Sequence, residues 1–152
     1  MSEEERVEKG FTIVELLCVL IIVSFMLFMA FPHFEKVKER YELKTEAQKM
    51  AWVLRSARQE AILSGISQSV YFYPLVNKYK DHKGEWHELP STFKMGVNFT
   101  TFAGRPACVF SPEGAPDGGT VTLISRSQFK QYIIVSPVTG RVRVSQYPPQ
   151  YM

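Results

Sequence analysis

The feature that most constrains this chain is an apolar run of 21 residues, from Phe11 to Phe31, in which only Thr12, Glu15 and Ser24 are neither apolar nor small. As a helix rising 1.5 Å per residue, the run would be about 31 Å long, which matches the hydrocarbon core of a bilayer. We therefore predict a membrane-spanning helix over residues 11–31. A removed secretory signal fits less well, because its apolar core would be shorter and would end in small residues.

Glu15 lies inside this run, although a charge at the centre of a spanning helix costs roughly 2.5 to 3.5 kcal/mol on insertion scales. No Lys or Arg occurs between Phe11 and Phe31, so a cation for this carboxylate must come from outside the run. A cut between Gly10 and Phe11 would create an α-amino group four residues before Glu15, or on a neighbouring helix. A carboxyl group that is protonated, or that meets water near the membrane boundary, is the alternative.

The segment that follows, EKVKERYELKTEAQKMAWVLRSARQEAILSG, has the pattern of an amphipathic helix. Its apolar residues recur mostly at three- and four-residue steps between Val37 and Ile62. Pro32 predicts a kink where the two parts meet, and Gly65 is placed as a C-terminal stop. We expect one helix of about 53 residues, roughly 80 Å long, whose amphipathic part covers residues 32–65.

Beyond Gly65 the pattern changes to short runs of β-branched and aromatic residues separated by Gly, Pro and Asn. Such runs predict the strands of an antiparallel sheet. They are SVYFYPLV, EWHEL, MGVNFTTF, ACVFSP, GTVTLIS, QYIIVSP and GRVRVSQ, with KDHKG and PVTG as hairpin connections and SPEGAPDGG as a longer loop. The predicted fold class is α+β: a long N-terminal helix whose amphipathic half packs on an antiparallel β-sheet domain at residues 66–152.

Enzymatic and metal-dependent functions find little support in the residues. Cys18 and Cys108 are some ninety residues apart, one of them in the apolar run, and are expected to remain thiols. His82 and His87, in DHKGEWHEL, fit a polar hairpin, and neither CxxC nor HExxH spacing occurs, so no metal or other cofactor is predicted. The β region offers no nucleophile paired with a base and no phosphate loop, so neither an enzyme nor a small-molecule substrate is expected.

The stretch KGFTIVELL resembles the type IV prepilins and pseudopilins, whose prepilin peptidase cuts between the glycine and phenylalanine of a GFTLxE motif and methylates the new N-terminus. The resemblance implies that residues 1–10 are a leader, with cleavage and N-methylation at Gly10 and Phe11. It also implies that Glu15 contacts the N-terminal amine of the preceding subunit in a helical filament. Pro32, 22 residues into the mature chain, falls where many of these proteins carry a kink-forming proline.

The leader MSEEERVEKG is acidic and in this departs from the family pattern. Positive-inside counting gives little support for a cytoplasmic N-terminus, because Lys36, Lys38 and Arg40 follow the span. The expected placement therefore rests on the resemblance: a single pass through the cell (inner) membrane, the C-terminal domain outside the cytoplasm, and later a periplasmic or extracellular filament. Loss of the leader would leave 16 basic and 11 acidic residues, a net charge of +5.

Two further stretches, LRSARQEAILSG and GGTVTL with YIIVSPVTGRVRV, look like the GspH/FimT-type minor pseudopilins. This implies a minor subunit of a type II secretion pseudopilus or type IV pilus, which helps filament initiation or tip assembly and protein secretion. The implied partners are other pilins or pseudopilins, prepilin peptidase, the inner-membrane assembly platform and the membrane itself. Arg55 and Arg58 are interpreted as solvated residues on the polar side of the helix, with subunit contacts as the alternative.

The C-terminal part of the chain is basic, with six Lys or Arg and two Asp or Glu over residues 91–152. In GRVRV, period-two alternation places Arg141 and Arg143 on one side of a strand, about 6.8 Å apart. Arg126, Lys130 and Arg105 are candidates to lie near them, and such a cluster suits phosphate oxygens. Solvated charges on a strand are the alternative.

In the FimT-like branch, a C-terminal GRxR motif is implicated in binding DNA during natural transformation. Gly140, Arg141 and Arg143 match that motif. The resemblance therefore implies a second function, a DNA-binding minor pilin of a competence pilus. The sequence leaves both functions open.

Overall fold

The computed structural model describes residues 10–149, and between residues 30 and 33 it describes the backbone alone. Residues 1–9 of the predicted leader lie outside this range, and the kink predicted at Pro32 also falls outside the fully described residues. The chain divides into two compact units, residues 1–37 and 38–152. A single helix, α1 (Ile13–Ser64), contributes to both units, which confirms the predicted long N-terminal helix.

The start of α1 is set by Thr12. Its hydroxyl accepts a hydrogen bond from the Glu15 N–H at 3.2 Å, and its carbonyl accepts one from the Leu16 N–H at 3.1 Å. Thr at the N-cap with Glu three residues later is the pattern of a capping box. Every residue described between Gly10 and Met29 is exposed, and α1 contains a segment long and apolar enough to cross a membrane.

In the second unit, α1 presents one buried face and then ends at glycine. The buried positions recur every three or four residues because that spacing returns to the same side of a helix. They are Leu43, Ala47, Met50, Ala51, Val53, Leu54, Ala57 and Ala61. Gly65 adopts a positive φ of 67° and its N–H bonds the Ala61 carbonyl at 3.1 Å, which makes it the C-terminal stop that the sequence predicted.

Nine strands follow, all paired antiparallel. They are β1 (Gln68–Tyr73), β2 (Lys78–Lys80), β3 (Trp86–Glu88), β4 (Phe93–Asn98), β5 (Thr101–Phe102), β6 (Arg105–Phe110), β7 (Gly119–Ser125), β8 (Lys130–Val135) and β9 (Val142–Ser145). They form a five-stranded sheet in the order β3-β2-β1-β6-β5 and a four-stranded sheet in the order β4-β7-β8-β9. The α+β class is confirmed, but the strands build two sheets where the sequence predicted one.

Strand β2 was missed by the sequence analysis. Its residues Lys78, Tyr79 and Lys80 offer a single apolar side chain, too little to reveal alternation. The chain enters β2 through a short 3-10 turn, Pro74–Val76, and through Asn77, which adopts a positive φ of 51°. Tyr79 is nonetheless buried, so β2 belongs to the core despite its two lysines.

One hydrophobic core joins α1 to both sheets. Its largest fully buried side chains come from all three layers, and burying each contributes roughly 1.5 to 3 kcal/mol. They include Met50 and Leu54 of α1, Phe72 and Phe110 of the five-stranded sheet, and Phe93, Leu123 and Ile133 of the four-stranded sheet.

Candidate functional site

The predicted cleavage site lies just before the first turn of α1. Gly10 and Phe11 precede the helix, and the Phe11 side chain is 81% exposed. A Cβ added at Gly10 would meet nothing within 4 Å among the described residues, so packing in this part of the chain does not require a glycine there. No other described part of the chain covers either residue.

Glu15 projects from the first turn of α1 without a partner in the described chain. Its backbone N–H bonds Thr12, whereas its carboxylate forms no hydrogen bond or ion pair with any residue between 10 and 149. A carboxylate at this position interacts favourably with the positive end of the helix dipole.

The β8–β9 connection explains Gly140, the first residue of the GRxR match. Gly140 is buried and has a positive φ of 65°. A Cβ there would collide with the Gly114 carbonyl oxygen and lie 2.6 Å from Arg58 Nε. Gly140 is thus required by close packing of two turns against α1, and its own atoms are not exposed for a ligand.

Arg55 and Arg58 both bond the β domain of their own chain. Arg55 is nonetheless exposed, whereas Arg58 is half-buried, so the interpretation as solvated residues is corrected for Arg58 alone. Arg58 Nε donates to the Gly114 carbonyl at 3.0 Å, and Arg55 Nη2 donates to the Val142 carbonyl at 3.0 Å. Their spacing of three places both on one side of α1, facing the turns that carry these carbonyls. In the sequence, the contact could have been suspected only from this spacing and from the glycines at 114 and 140. These residues are far apart along the chain, and only the fold brings the arginines and the glycines into contact.

The alternation predicted for GRVRV holds within β9. Val142 is buried, Val144 packs against the core, and Arg143 between them is exposed on the other face. Arg141 is also exposed but lies in the turn before β9, where its carbonyl accepts the Ser136 N–H at 3.0 Å. The two guanidiniums are therefore carried by different elements, one by the turn and one by the strand.

Two of the other basic residues, Arg126 and Arg105, do not lie beside this pair, which corrects that part of the predicted cluster. Arg126 lies in the β7–β8 turn, whereas Arg141 lies in the β8–β9 turn, and successive hairpin turns lie at opposite ends of the strand they share. Strand β8 has six residues, so about 20 Å separates those ends. Arg105 belongs to the other sheet, where its guanidinium donates to the Tyr73 hydroxyl at 3.1 Å.

Arg143 instead shares a broad basic face with two lysines. Arg143 pairs with Ile134 across the β8–β9 ladder, and Lys130 lies four residues before Ile134 on the same side of β8. Lys94 and Lys130 are both paired with Ile124, so Lys94 points the same way. We call Lys94, Lys130 and Arg143 the basic face.

No Asp or Glu occurs in the four strands that form the basic face. Two shallow grooves border Arg143, one of about 610 Å³ beside Tyr147 and Pro148 and one of about 460 Å³ beside Asn98 and Ser136. The sequence analysis missed Lys94, although the alternation of FKMGVN around it was readable. The face is basic but dispersed, without a single pocket for a phosphate.

The β2–β3 hairpin holds a compact polar cluster. Asp81 Oδ1 accepts the N–H groups of Lys83 at 2.9 Å and Glu85 at 2.8 Å, and Oδ2 lies 3.1 Å from His87 Nε2. Burial opposes ionisation of Asp81, but the hydrogen bonds from His87, Glu85 and Lys83 outweigh it and hold the pKa of this carboxyl below its usual range. The bonds close the hairpin turn, in keeping with the polar hairpin that the sequence predicted.

Comparison with known proteins places this architecture in a family. Residues 46–140 match the family described as type II transport protein GspH, and residues 6–31 match the prokaryotic N-terminal methylation motif. The second match contains Gly10, Phe11 and Glu15, whereas the first ends at Gly140 and leaves out Arg141 and Arg143. No curated protein sequence matches the chain.

Solved structures of low sequence identity share the fold. The minor pseudopilin EpsH from the Type 2 Secretion System of Vibrio cholerae is 16% identical, with 68% of this chain and 96% of that chain covered and a TM-score of 0.55. The type IV minor pilin FimU of Pseudomonas aeruginosa PAO1 is 16% identical, with 70% and 90% covered and a TM-score of 0.56. The family match spans more than half of the sequence, and the chain therefore belongs to the GspH family of type II transport proteins, with the N-terminal methylation motif of pilin-like proteins.

Proposed function

We propose that this protein is a minor pseudopilin, cut between Gly10 and Phe11 and inserted through α1 into a type II secretion pseudopilus or a type IV pilus. One observation carries the proposal. An apolar helical segment exposes every described side chain up to Met29, and its lone carboxylate, Glu15, has no partner in the described chain. Such a surface needs an apolar environment, which a membrane supplies before assembly and neighbouring helices supply afterwards.

The same observation gives cleavage a role in assembly. Before the cut, Glu15 has no ammonium group within the helix to balance its charge. After the cut, the α-amine at Phe11 is a cation at the start of the helix, where it is suited to pair with the Glu15 of an adjacent subunit. Removing one partner of an ion pair in an apolar environment costs about 3 to 5 kcal/mol, so subunits that pair correctly are strongly preferred.

We infer a role at the start or the tip of the filament, which the likeness in fold to two minor subunits supports. Both EpsH and FimU are described as minor subunits, one of a secretion system and one of a type IV pilus. We infer a single pass through the inner membrane, with residues 38–152 outside the cytoplasm. The inferred partners are other pilins, prepilin peptidase and the assembly platform, and the role is structural rather than enzymatic.

Processing is tested by intact-mass measurement of the chain extracted from cells with and without prepilin peptidase. The proposal expects the two masses to differ by the ten-residue leader, offset by a methyl group on the new N-terminus. Equal masses would remove the cleavage step and with it the proposed assembly mechanism.

A second candidate function is DNA capture by a competence pilus, favoured by the basic face and by the GRxR match at residues 140–143. The four strands of the basic face carry no carboxylate that would offset its positive charges. These charges attract DNA phosphates whatever the base sequence, because the attraction depends on charge alone. The dispersed arrangement of Lys94, Lys130 and Arg143 supports weak binding that several subunits strengthen together.

A further inference from the structure

The two sheets end in four edge strands: β3 and β5 in one sheet, β4 and β9 in the other. An edge strand presents unpaired N–H and C=O groups, which invite another chain to pair with it. Proteins that stay apart cover such edges with side chains, turns or very short strands. How each edge is covered therefore indicates where a partner can add.

The other three edges are partly covered by the chain itself or are very short. The outward carbonyl of Val142 in β9 accepts the Arg55 guanidinium at 3.0 Å. In β4, the side-chain amide of Asn77 donates to the Phe93 carbonyl at 2.9 Å and accepts the Met95 N–H at 3.3 Å. Strand β5 has two residues and offers almost no edge.

Strand β3 is open. A backbone hydrogen bond lies at each end of the β2–β3 ladder. At one end the Asp81 N–H donates to the Glu85 carbonyl, and at the other the Leu89 N–H donates to the Asn77 carbonyl. Antiparallel strands alternate hydrogen-bonded and non-bonded pairs, so Trp86 and Glu88 direct their N–H and C=O groups away from β2. No hydrogen bond from any residue between 10 and 149 caps these four groups.

A groove of about 970 Å³ lies between this edge and α1. Trp52 of α1 and Trp86 of β3 line it and are 66% and 56% exposed. Aromatic side chains that are part buried beside a groove are characteristic of protein interfaces, because they bury large area at little cost in side-chain entropy. Trp52 lies on the α1 side of the β3 edge, whereas the Trp86 ring lies on the other face of the sheet, 4.9 Å from the Tyr73 ring. The unpaired backbone edge is therefore flanked by one apolar side chain on each face.

The charged side chains of the groove indicate what kind of segment it receives. Glu46 and Glu88 line it together with one lysine, Lys49, which already pairs with Glu46 at 2.7 Å. The lining is therefore net acidic, and Glu88 remains 69% exposed although Lys78 lies 3.1 Å away. Pairing of β3 with the β3 strand of a second copy would bring the same acidic lining against itself, so charge disfavours that symmetric contact and favours a segment of another subunit that carries a basic residue.

We propose that the β3 groove receives an extended segment of a different filament subunit, which pairs with β3 as an added strand. The side chains of this segment that face α1 are apolar and pack against Trp52. On the other face, one side chain packs against Trp86 and a lysine or arginine meets Glu88. The inference rests on the proposed function, since it requires the chain to lie in a filament. It identifies the contact by which the β domain selects its neighbour.

Amide hydrogen exchange tests the pairing directly. The full chain is compared in detergent micelles and in filaments assembled with its partner subunits, with residue-level detection at β3. The amides of Trp86 and Glu88 are expected to exchange fast in micelles and at least tenfold more slowly in filaments. The amides of His87 and Leu89, which already face β2, serve as internal controls that are protected in both states.

Exchange at Trp86 and Glu88 that is equally fast in filaments and micelles would overturn the inference. Co-sedimentation with the filament, measured on the same samples, separates the two proposals. A chain that does not sediment contradicts the proposed function, whereas a chain that sediments with unprotected Trp86 and Glu88 amides contradicts only the β3 contact.

A pair of variants at Glu88 separates backbone pairing from charge. Glu88→Pro removes an outward N–H without removing a bond to β2, a position where proline is tolerated in an edge strand. Glu88→Ala removes the carboxylate and keeps the N–H. With a photo-crosslinker at Ser91 in the groove, the yield of crosslinks to another pilin-type subunit is expected to fall more than fivefold for Glu88→Pro and about twofold for Glu88→Ala.

Equal crosslink yields for the two variants would exclude strand addition. Crosslinked peptides that come from a second copy of this chain would exclude a different subunit as the occupant. Circular dichroism establishes that both variants are folded. If Glu88→Pro is not folded, the hydrogen-exchange comparison on the wild-type chain decides whether a strand is added to β3.

Discussion

Arg58 of α1 donates from Nε to the carbonyl oxygen of Gly114 at 3.0 Å, and Gly140 packs against both groups. Residues 58, 114 and 140 are far apart in sequence, yet they form one contact between the helix and two turns of the β domain. The contact explains why the helix sequence RSARQEA and the turn sequence TGR occur together in this chain. It also fixes the turn from which Arg141 and β9 emerge.

Gly140→Ala is expected to lower the free energy of unfolding by about 2 to 3 kcal/mol, because the new Cβ would combine a positive φ with a collision against the Gly114 carbonyl. Gly65→Ala is the matched control. Gly65 also has a positive φ, but a Cβ there meets nothing within 4 Å, so only the backbone cost of about 1 kcal/mol remains. Urea unfolding of residues 38–152 measures both, and equal losses would show that the close packing at Gly140 contributes nothing.

Arg58→Met is expected to destabilise the same unit by about 1.5 to 3 kcal/mol, because it removes a charged donor from the carbonyl of the buried Gly114 while keeping much of the apolar stem. Arg126→Met removes the same charge from an exposed turn and should change stability by less than about 0.5 kcal/mol. If urea unfolding shows that the two substitutions lower the free energy of unfolding equally, Arg58 acts only as a surface charge.

Asp81→Asn is expected to destabilise the β2–β3 hairpin and to do so in a pH-dependent way. The folded-state pKa of Asp81 is lowered, so its ionised form contributes stability above the unfolded pKa of about 3.9, and that contribution is lost as pH falls through the folded value. The gap in unfolding free energy between wild type and Asp81→Asn, about 1 to 2 kcal/mol at pH 7, should therefore narrow below pH ~4. Urea midpoints measured from pH 7 to pH 3 check this, and a gap that does not change with pH would contradict it.

Local periodicity predicted most of the fold. The apolar run, the three- and four-residue steps to Ile62 and the stop at Gly65 specify α1, because a helix is determined by neighbours within one or two turns. Alternating runs specified most strands for the same reason. Strand β2 escaped because Tyr79 is its single apolar residue, and the division into two sheets depends on pairings between distant segments.

The candidate binding residues were predicted less well, because their neighbours are set by topology rather than by spacing. Arg126 and Arg141 are both near β8 in sequence, but they lie at its opposite ends. Lys94 is distant in sequence from Lys130 and joins it through β7. The bonds of Arg55 and Arg58 to loop carbonyls likewise depend on how α1 packs, which their polar appearance concealed.

If the basic face and Arg141, in the turn before β9, together capture DNA, the folded part from residue 38 onward should bind it weakly and without strong sequence preference. The double variant Arg141→Gln, Arg143→Gln is expected to lose most of that affinity, with log K for the wild type falling by about 0.7 to 0.9 per phosphate contact against log salt. The variant Lys83→Gln, Arg126→Gln removes the same charge from exposed turns elsewhere. Titration of labelled DNA at low and moderate salt compares the affinities of the two double variants. If both lose the same affinity, net charge alone explains the binding of DNA.

The account of assembly depends most on Glu15. Glu15→Leu should insert into the membrane at least as well as the wild type, because it removes a charge that is costly in the bilayer. It should still fail to join the filament, since the α-amine of a neighbouring subunit would then lack its carboxylate. Ser24→Leu is the matched control: it removes another polar group from the same helix, one whose hydroxyl bonds only the Leu20 carbonyl of its own chain at 2.7 Å.

The most direct measurement is the fraction of each variant that sediments with purified filaments from cells in which leader cleavage has been verified by intact mass. We expect Ser24→Leu to sediment like the wild type and Glu15→Leu to fall at least tenfold, a loss of about 1.4 kcal/mol or more in recruitment. Sedimentation of Glu15→Leu at the wild-type level would contradict the pairing of Glu15 with a new N-terminus and would leave the carboxylate without a role in assembly.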